Sequence, residues 1–249
     1  MKVPEQLQYI VNGRAKQKSS DASMQGKTCI VTGANSGVGF EAARHFVRGG
    51  AHVVLVCRNP AKAEEARTKL LPLAQAPIDI VLADFTRLDD VRHAANELLE
   101  RYPQIHVLVN NAGLHSTVRT LTPDGYETVF AVNHLASFLL TRMLLDRMKA
   151  SAPARIIQVN SQGHRFNGLK LDDWNWERRF YIGLRSYGAS KTAQLMTVWE
   201  LAEQLEGSGV TINAMHPGSV RSNVGTNNGW LYRVFKKYVI EPSLDDPEV

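Results

Sequence analysis

Apolar residues arrive along this chain in short β-branched bursts, separated by longer stretches in which they recur every three or four positions. The bursts are TCIVT (28–32), HVVLVC (52–57), IDIVLA (78–83), IHVLVN (105–110), RIIQVN (155–160) and VTINAM (210–215). Runs this short and this continuously apolar read as strands buried on both faces. The stretches between them, at 37–49, 60–71, 89–101, 124–150 and 187–206, carry helical spacing. Strand and helix in alternation predict βαβ units and a parallel sheet covered on both sides. Residues 1–26 break the pattern. They are polar, carry Lys2, Arg14, Lys16 and Lys18, and include the loose run SSDAS. They read as an N-terminal extension outside the core, with one short helix around Glu5 to Val11.

Six strands joined by five crossovers place the chain in the α/β class. They predict a single doubly wound parallel sheet of Rossmann type over residues 27–249, in the order 3-2-1-4-5-6. Composition adds limits. Of 249 residues 44% are hydrophobic and 21% charged, which excludes disordered and collagen-like chains. The net charge of +5 suits a small anionic ligand and is too diffuse for nucleic acid. Nowhere do about 18 consecutive apolar residues occur, so no integral membrane segment is expected. The opening MKVPEQLQYI lacks the apolar core of a signal peptide. Cys29 and Cys57 both lie inside strand-like runs and make neither a disulfide framework nor a metal site. These features read as a soluble, intracellular and cytoplasmic protein.

The first strand leads directly into Thr32-Gly33-Ala34-Asn35-Ser36-Gly37-Val38-Gly39 and then a helix. Glycine serves there in three ways: it makes a tight turn, lets backbone approach a pyrophosphate, and lets the helix pack on the strand. The unpaired N–H groups and positive dipole end of that helix then face the phosphates. An NAD site wants an acid at the end of the second strand, about 20 residues past the glycines. Here that place reads Val56-Cys57-Arg58-Asn59. The guanidinium of Arg58 is a forked donor suited to a 2′-phosphate, so NADP(H) is favoured, with NAD(H) the alternative. Lys62 follows on the next helix and reads as exposed.

The loop TGANSGVG, NNAG at Asn110 to Gly113, and Tyr187-x-x-x-Lys191 together resemble the short-chain dehydrogenase/reductase family, of the classical type, over residues 27 to about 225. The contexts ANSGVGFEAA, VCRNPAKAE, VNHLASFLLT and GSGVTINAMHPGSVRS resemble its retinol-dehydrogenase-like branch. The resemblance implies hydride transfer between a nicotinamide and an alcohol or carbonyl. It implies a catalytic set of Asn133, Ser161, Tyr187 and Lys191. Tyr187 would give or take the proton, and Ser161 would hydrogen-bond the substrate oxygen. Asn133 would support a water joining Lys191 to solvent, and Lys191 would contact the nicotinamide ribose. Asp84 and Phe85 would stand at the adenine, although an Asp before a helix can equally cap it. Asn110, Ala112 and Gly113 would approach the cofactor after strand four, and Pro217, Gly218 and Val220 would hold the carboxamide. Ser222 keeps a hydroxyl where many relatives have threonine. Relatives continue into a seventh strand, which this chain is not expected to supply.

Tyr187 and Lys191 are four apart and share one helix face. A neighbouring ammonium, together with the positive nicotinamide, is expected to favour the phenolate and move the tyrosine pKa toward the working range. His134, His164 and His216 read as structural, while His115 reads as a candidate for the substrate pocket. Asn160, where relatives often have serine, reads as without effect on chemistry. The interval from Ser161 to Tyr187 is 26 residues, with Leu169, Leu171, Trp174, Trp176, Phe180 and Tyr181 inside it. That segment, 166–185, reads either as an apolar pocket wall or as a cap on the sheet. Residues 225–249, including Trp230, Leu231, Val234 and Phe235, read as a substrate lid or a peripheral membrane contact. On the helices at 124–150 and 187–206, Leu135, Phe138, Leu139, Met143 and Leu144, with Leu195, Trp199 and Leu205, read as a homodimer face. The favoured reading is an oxidoreductase acting on an apolar small molecule. Two others stand beside it: a non-catalytic dinucleotide-binding protein of the same fold, and a carbon–carbon double-bond reductase resembling protochlorophyllide reductase.

Overall fold

The computed structural model describes residues 20–166 and 169–218. The strands are β1 (Thr28–Thr32), β2 (His52–Cys57), β3 (Ile78–Leu82), β4 (Val107–Asn110), β5 (Ala154–Val159) and β6 (Val210–Met215). Between them run α1 (Gly37–Arg48), α2 (Pro60–Leu70), α3 (Leu88–Arg101), α4 (Thr128–Ala150) and α5 (Gly183–Gln204). All pairings are parallel, and the strand order is β3-β2-β1-β4-β5-β6. This is the doubly wound sheet expected from the sequence. The expected helix at Glu5 to Val11, the segment 225–249, Val220, Ser222 and any seventh strand lie outside the described residues.

The period of two along each strand divides its side chains between two cores. Ile30, Val54, Val56, Leu108 and Ile156 join α3, α4 and α5 on one face. Cys29, Val31, Val53, Leu55 and Cys57 join α1 and α2 on the other. Leu140, Leu144 and Met148 of α4 are fully buried against the first face. Truncating any of them to alanine would cost about 2–5 kcal/mol by the usual core relation. By length and composition alone α4 could cross a membrane, with a mean hydropathy of 1.4 over its most apolar window. Of that window 61% is buried, with Leu140, Leu144 and Met148 packed in the first core, as in a core helix. Another expectation needs correcting at the N-terminal end. Met24 donates its N–H to Gly49 O at 2.8 Å and packs on the second core, so the fold begins before residue 27. Main-chain bonding to the α1–β2 turn anchors it there.

Two helix starts differ from the sequence reading, and one residue accounts for both. Periodicity suggested starts at 124 and 187, whereas the helices begin at Thr128 and Gly183. Glu127 is 0% exposed, and its carboxylate accepts from Val129 N (2.9 Å) and Phe130 N (2.8 Å), capping α4. The same two oxygens accept from Tyr181 OH and Ser186 Oγ, each at 3.0 Å, which fixes the first turn of α5. Four donors compensate the desolvation of one buried carboxylate.

The aromatic segment follows from that clamp. Trp174 lies 5.0 Å from Phe130 and 5.7 Å from Tyr126, and Trp176 is 3% exposed beneath Arg179. These rings brace the start of α4, a role that neither the pocket-wall reading nor the sheet-cap reading described. Glu127→Ala would leave two helix N–H groups and two hydroxyls without their acceptor. It should lower unfolding free energy by roughly 3 kcal/mol, read as a lower urea midpoint at unchanged slope. An unshifted midpoint would show that the clamp adds no stability.

Candidate active site

The strand order reverses between β1 and β4, which opens a crevice at the carboxyl ends of the strands. A cavity of about 570 Å³ occupies it. Gly33, with φ +65°, and Gly37, with φ +55°, turn the chain under this cavity in a conformation that side-chain-bearing residues avoid. Ser36, the N-cap of α1, makes no side-chain capping bond. The first N–H groups of that helix are therefore available to an anion. Asn35, Ser36, Gly37 and Val38 all line the cavity.

Gly39 and Asn110 play different parts from those expected. Neither lines the cavity. A Cβ on Gly39 would stand 2.6 Å from Gly33 O and would overlap the Asn111 amide, so this glycine admits packing rather than ligand. Asn110 is 1% exposed and donates to Thr141 Oγ1 at 2.8 Å, which turns it into α4. Its neighbour Asn111, which the sequence reading passed over, carries the structural role. Asn111 Nδ2 donates to Thr32 O at 2.8 Å, and Thr32 Oγ1 accepts from the N–H of Asn111 and of Ala112, both at 2.9 Å. These bonds lock the β1 and β4 ends together under the glycine turn.

Around the rim, Arg58, Lys62, Asp84, Phe85, Ala112, Gly113, Pro217 and Gly218 line the same cavity. Asp84 Oδ1 accepts from the Thr86 N–H and hydroxyl, each at 2.9 Å. It holds its own turn, and the N-cap of α3 is Arg87. His216 also lines the cavity, so the purely structural reading of that residue is corrected. A dinucleotide fits these donors: an uncapped helix N-terminus and glycine cradle for phosphates, with a cationic rim beyond β2.

The deep end holds the other expected residues. Ser161 follows β5, where its N–H is held by Asn160 Oδ1 at 2.7 Å and its Oγ accepts from Gly163 N at 3.1 Å. The Tyr187 side chain stands beside the Ser161 hydroxyl, both of them against Gly163. Its ring lies against the Gly163 backbone, where a Cβ would come within 2.7 Å of it, and His115 stands edge-on at 5.8 Å. Lys191 is 4% exposed and donates to Val159 O at 2.9 Å and Gln194 Oε1 at 3.0 Å. Burial pushes its pKa down to about 7.

Asn133 sits in a π turn, Ala131–Leu135, that directs it inward to 0% exposure. Its side chain stitches Leu114 to Ser190, and its carbonyl accepts from Gln194 Nε2 at 2.6 Å. In the chain alone the Tyr187 pKa is raised by burial, with the Ser161 hydroxyl acting the other way; the expected lowering belongs to the ammonium together with the positive nicotinamide. Lys191 Nζ stands 5.7 Å from the tyrosine ring centroid and bonds to neutral acceptors on β5 and α5. The ammonium lies over the ring face with its hydrogen bonds made to β5 and α5, and desolvation of the phenol is the larger effect.

His134, buried between Phe130 and Phe138, has its pKa lowered to about 4 by burial and takes no part in the cavity wall. His164 Nδ1 lies 2.7 Å from Ser161 O. Both agree with structural roles.

Comparison with known proteins bears on this arrangement. A family model described as short chain dehydrogenase matches residues 27–229. Retinol dehydrogenase 13 of Homo sapiens is 37% identical over 235 residues, which are 94% of this chain and 70% of that protein. Retinol dehydrogenase 14 of Mus musculus is 40% identical, over 86% of this chain and 67% of that protein. Among solved structures, an uncharacterized protein from Mycobacterium paratuberculosis superposes with a TM-score of 0.70 at 33% identity, covering 82% of this chain and 73% of that one. A metagenomic short-chain oxidoreductase in complex with NADP gives a TM-score of 0.66 at 26% identity, covering 80% and 85% respectively. This protein is therefore an oxidoreductase, and it belongs to the short-chain dehydrogenase family.

Proposed function

We propose that this protein is an NADP(H)-dependent enzyme that moves a hydride between the nicotinamide and an apolar alcohol or carbonyl. The observation that carries the reading is the meeting of Ser161, Tyr187 and Lys191 at the deep end of one cavity whose other end is a glycine cradle. When bound, the nicotinamide supplies or accepts the hydride. The chain's own residues do the rest. The α1 N-terminus and the Gly33–Gly37 turn hold the phosphates. Arg58, with no acid beside it, takes the 2′-phosphate. The Ser161 hydroxyl donates a hydrogen bond to the substrate oxygen, and Tyr187 gives that oxygen a proton or takes one from it.

In this scheme a phenol held protonated by burial is a proton donor at neutral pH, which favours carbonyl reduction. Lys191 supplies the positive charge behind the phenol. An apolar substrate is supported by the retinol dehydrogenases among the relatives and by Leu114 and Val132 in the cavity wall.

A homodimer belongs to the same proposal, on a smaller face than the sequence suggested. Leu144 and Leu205 are buried, and Leu139 and Met143 pack on the core. Phe138 at 40%, Met196 at 45% and Trp199 at 65% exposure remain for a partner. Sedimentation at micromolar concentration should give twice the chain mass, and Trp199→Glu should give the monomer. A wild-type monomer would remove this part of the proposal.

Tyr187→Phe keeps the ring on Gly163 and removes only the hydroxyl. Turnover should fall by about 10²–10⁴-fold while NADPH binding stays nearly constant. Retention of most turnover would refute the role given to Tyr187. Arg58→Ala should lower kcat/KM with NADPH about tenfold or more and leave NADH little changed. An unchanged ratio between the two cofactors would remove Arg58 from the specificity argument.

A further inference from the structure

The polar atoms behind Lys191 form a closed, buried set that the reaction scheme does not use. Gln194, at 1% exposure, lies on α5 one turn past Lys191. Its Oε1 accepts from Lys191 Nζ at 3.0 Å and from Asn160 Nδ2 at 3.4 Å. Its Nε2 donates to the Asn133 carbonyl at 2.6 Å and reaches Gln158 Oε1 at 3.5 Å. Every donor and acceptor of this amide is therefore engaged. Its orientation is also determined. An ammonium only donates and a main-chain carbonyl only accepts, so flipping the amide would set donor against donor and acceptor against acceptor.

Asn160 completes the set. Its Nδ2 donates to Lys191 O at 3.0 Å and its Oδ1 holds the Ser161 N–H at 2.7 Å. One side chain thus fixes the backbone of both Ser161 and Lys191.

We infer that Gln194, braced by Gln158 and Asn160, is the positioning residue of Lys191: its amide stands between the ammonium and the Asn133 carbonyl and holds the ammonium against Val159. The inference rests on the role proposed for Lys191 beside Tyr187. It changes what Asn133 does. The resemblance implies that Asn133 supports a water joining the lysine to solvent; here the Asn133 carbonyl accepts from the Gln194 amide, which also accepts from the lysine. An amide holds both ends but offers no hydroxyl to pass a proton along.

The test needs a readout on Lys191 itself. Other titratable groups near it are Tyr187, His216, Asp84, Arg58 and Lys62 along the cavity, with His115 beyond the Tyr187 ring and His164 on the Ser161 carbonyl. All are common to wild type and variants, so a difference between them isolates position 194. The full chain, labelled with 13C at lysine Cε, is titrated by NMR, and Lys191 is assigned by its loss in Lys191→Met.

Gln194→Met keeps the volume and removes one of two acceptors, which disfavours the charged form. The Lys191 midpoint should fall by roughly one pH unit, and kcat for carbonyl reduction with NADPH by about tenfold, with KM for the carbonyl little changed. Gln194→Glu keeps an acceptor and adds negative charge, so the midpoint should rise above wild type. If Gln194→Met fails to fold, the direction of the Gln194→Glu shift decides alone. Unmoved midpoints and pH profiles in the folded variants would overturn the inference. A wild type inactive on every carbonyl, with midpoints that move as stated, would remove the proposed function and leave the positioning role standing.

Discussion

One ammonium, taken out of water at the end of β5, constrains much of this architecture. Lys191 is 4% exposed, and burying a cation is costly unless acceptors meet it. The last carbonyl of β5 is one acceptor and Gln194 the other. Both conditions require α5 to lie directly over the end of β5. Its position is fixed at the start by Ser186 on Glu127 and along its length by Ser190 on Asn133. The chemistry proposed for Tyr187, one turn before, inherits that placement.

The cofactor end depends on a different constraint, the close approach of two backbone turns. Gly33 and Gly39 leave room for the Asn111 amide between them, and Thr32 ties that amide's backbone to β1. Side chains absent from the turn are thus replaced by hydrogen bonds from the neighbouring strand. The result is a rigid floor with open N–H groups above it, which is what an anionic ligand needs.

The alternation of apolar bursts and helical stretches made the sheet and its order legible, because burial on both faces leaves the strands mostly apolar. Gly33, Gly37, Ser161, Tyr187 and Lys191 were legible because motif spacing places them at strand ends and on one helix face. What was not legible came from partners distant in sequence. Nothing local to Glu127 reveals that Tyr181 and Ser186 complete its cap. Only the packing of α5 on β5 joins Gln194 and Asn160 to Lys191. Asn110 and Asn111 were exchanged because a dipeptide pattern does not say which amide faces α4. Helical spacing puts Lys191 on the right face, but it does not say that the ammonium bonds to Val159 and Gln194.

The central claim is hydride transfer in the cavity between the glycine cradle and Ser161, Tyr187 and Lys191. Its most direct measurement uses NADPH deuterated in turn at each C4 position, with an apolar carbonyl, followed by mass analysis of the alcohol. The account predicts that label from one of the two positions appears at the carbinol carbon, and that none is lost to water. Alcohol free of deuterium from either position, or label found in the solvent, would contradict it.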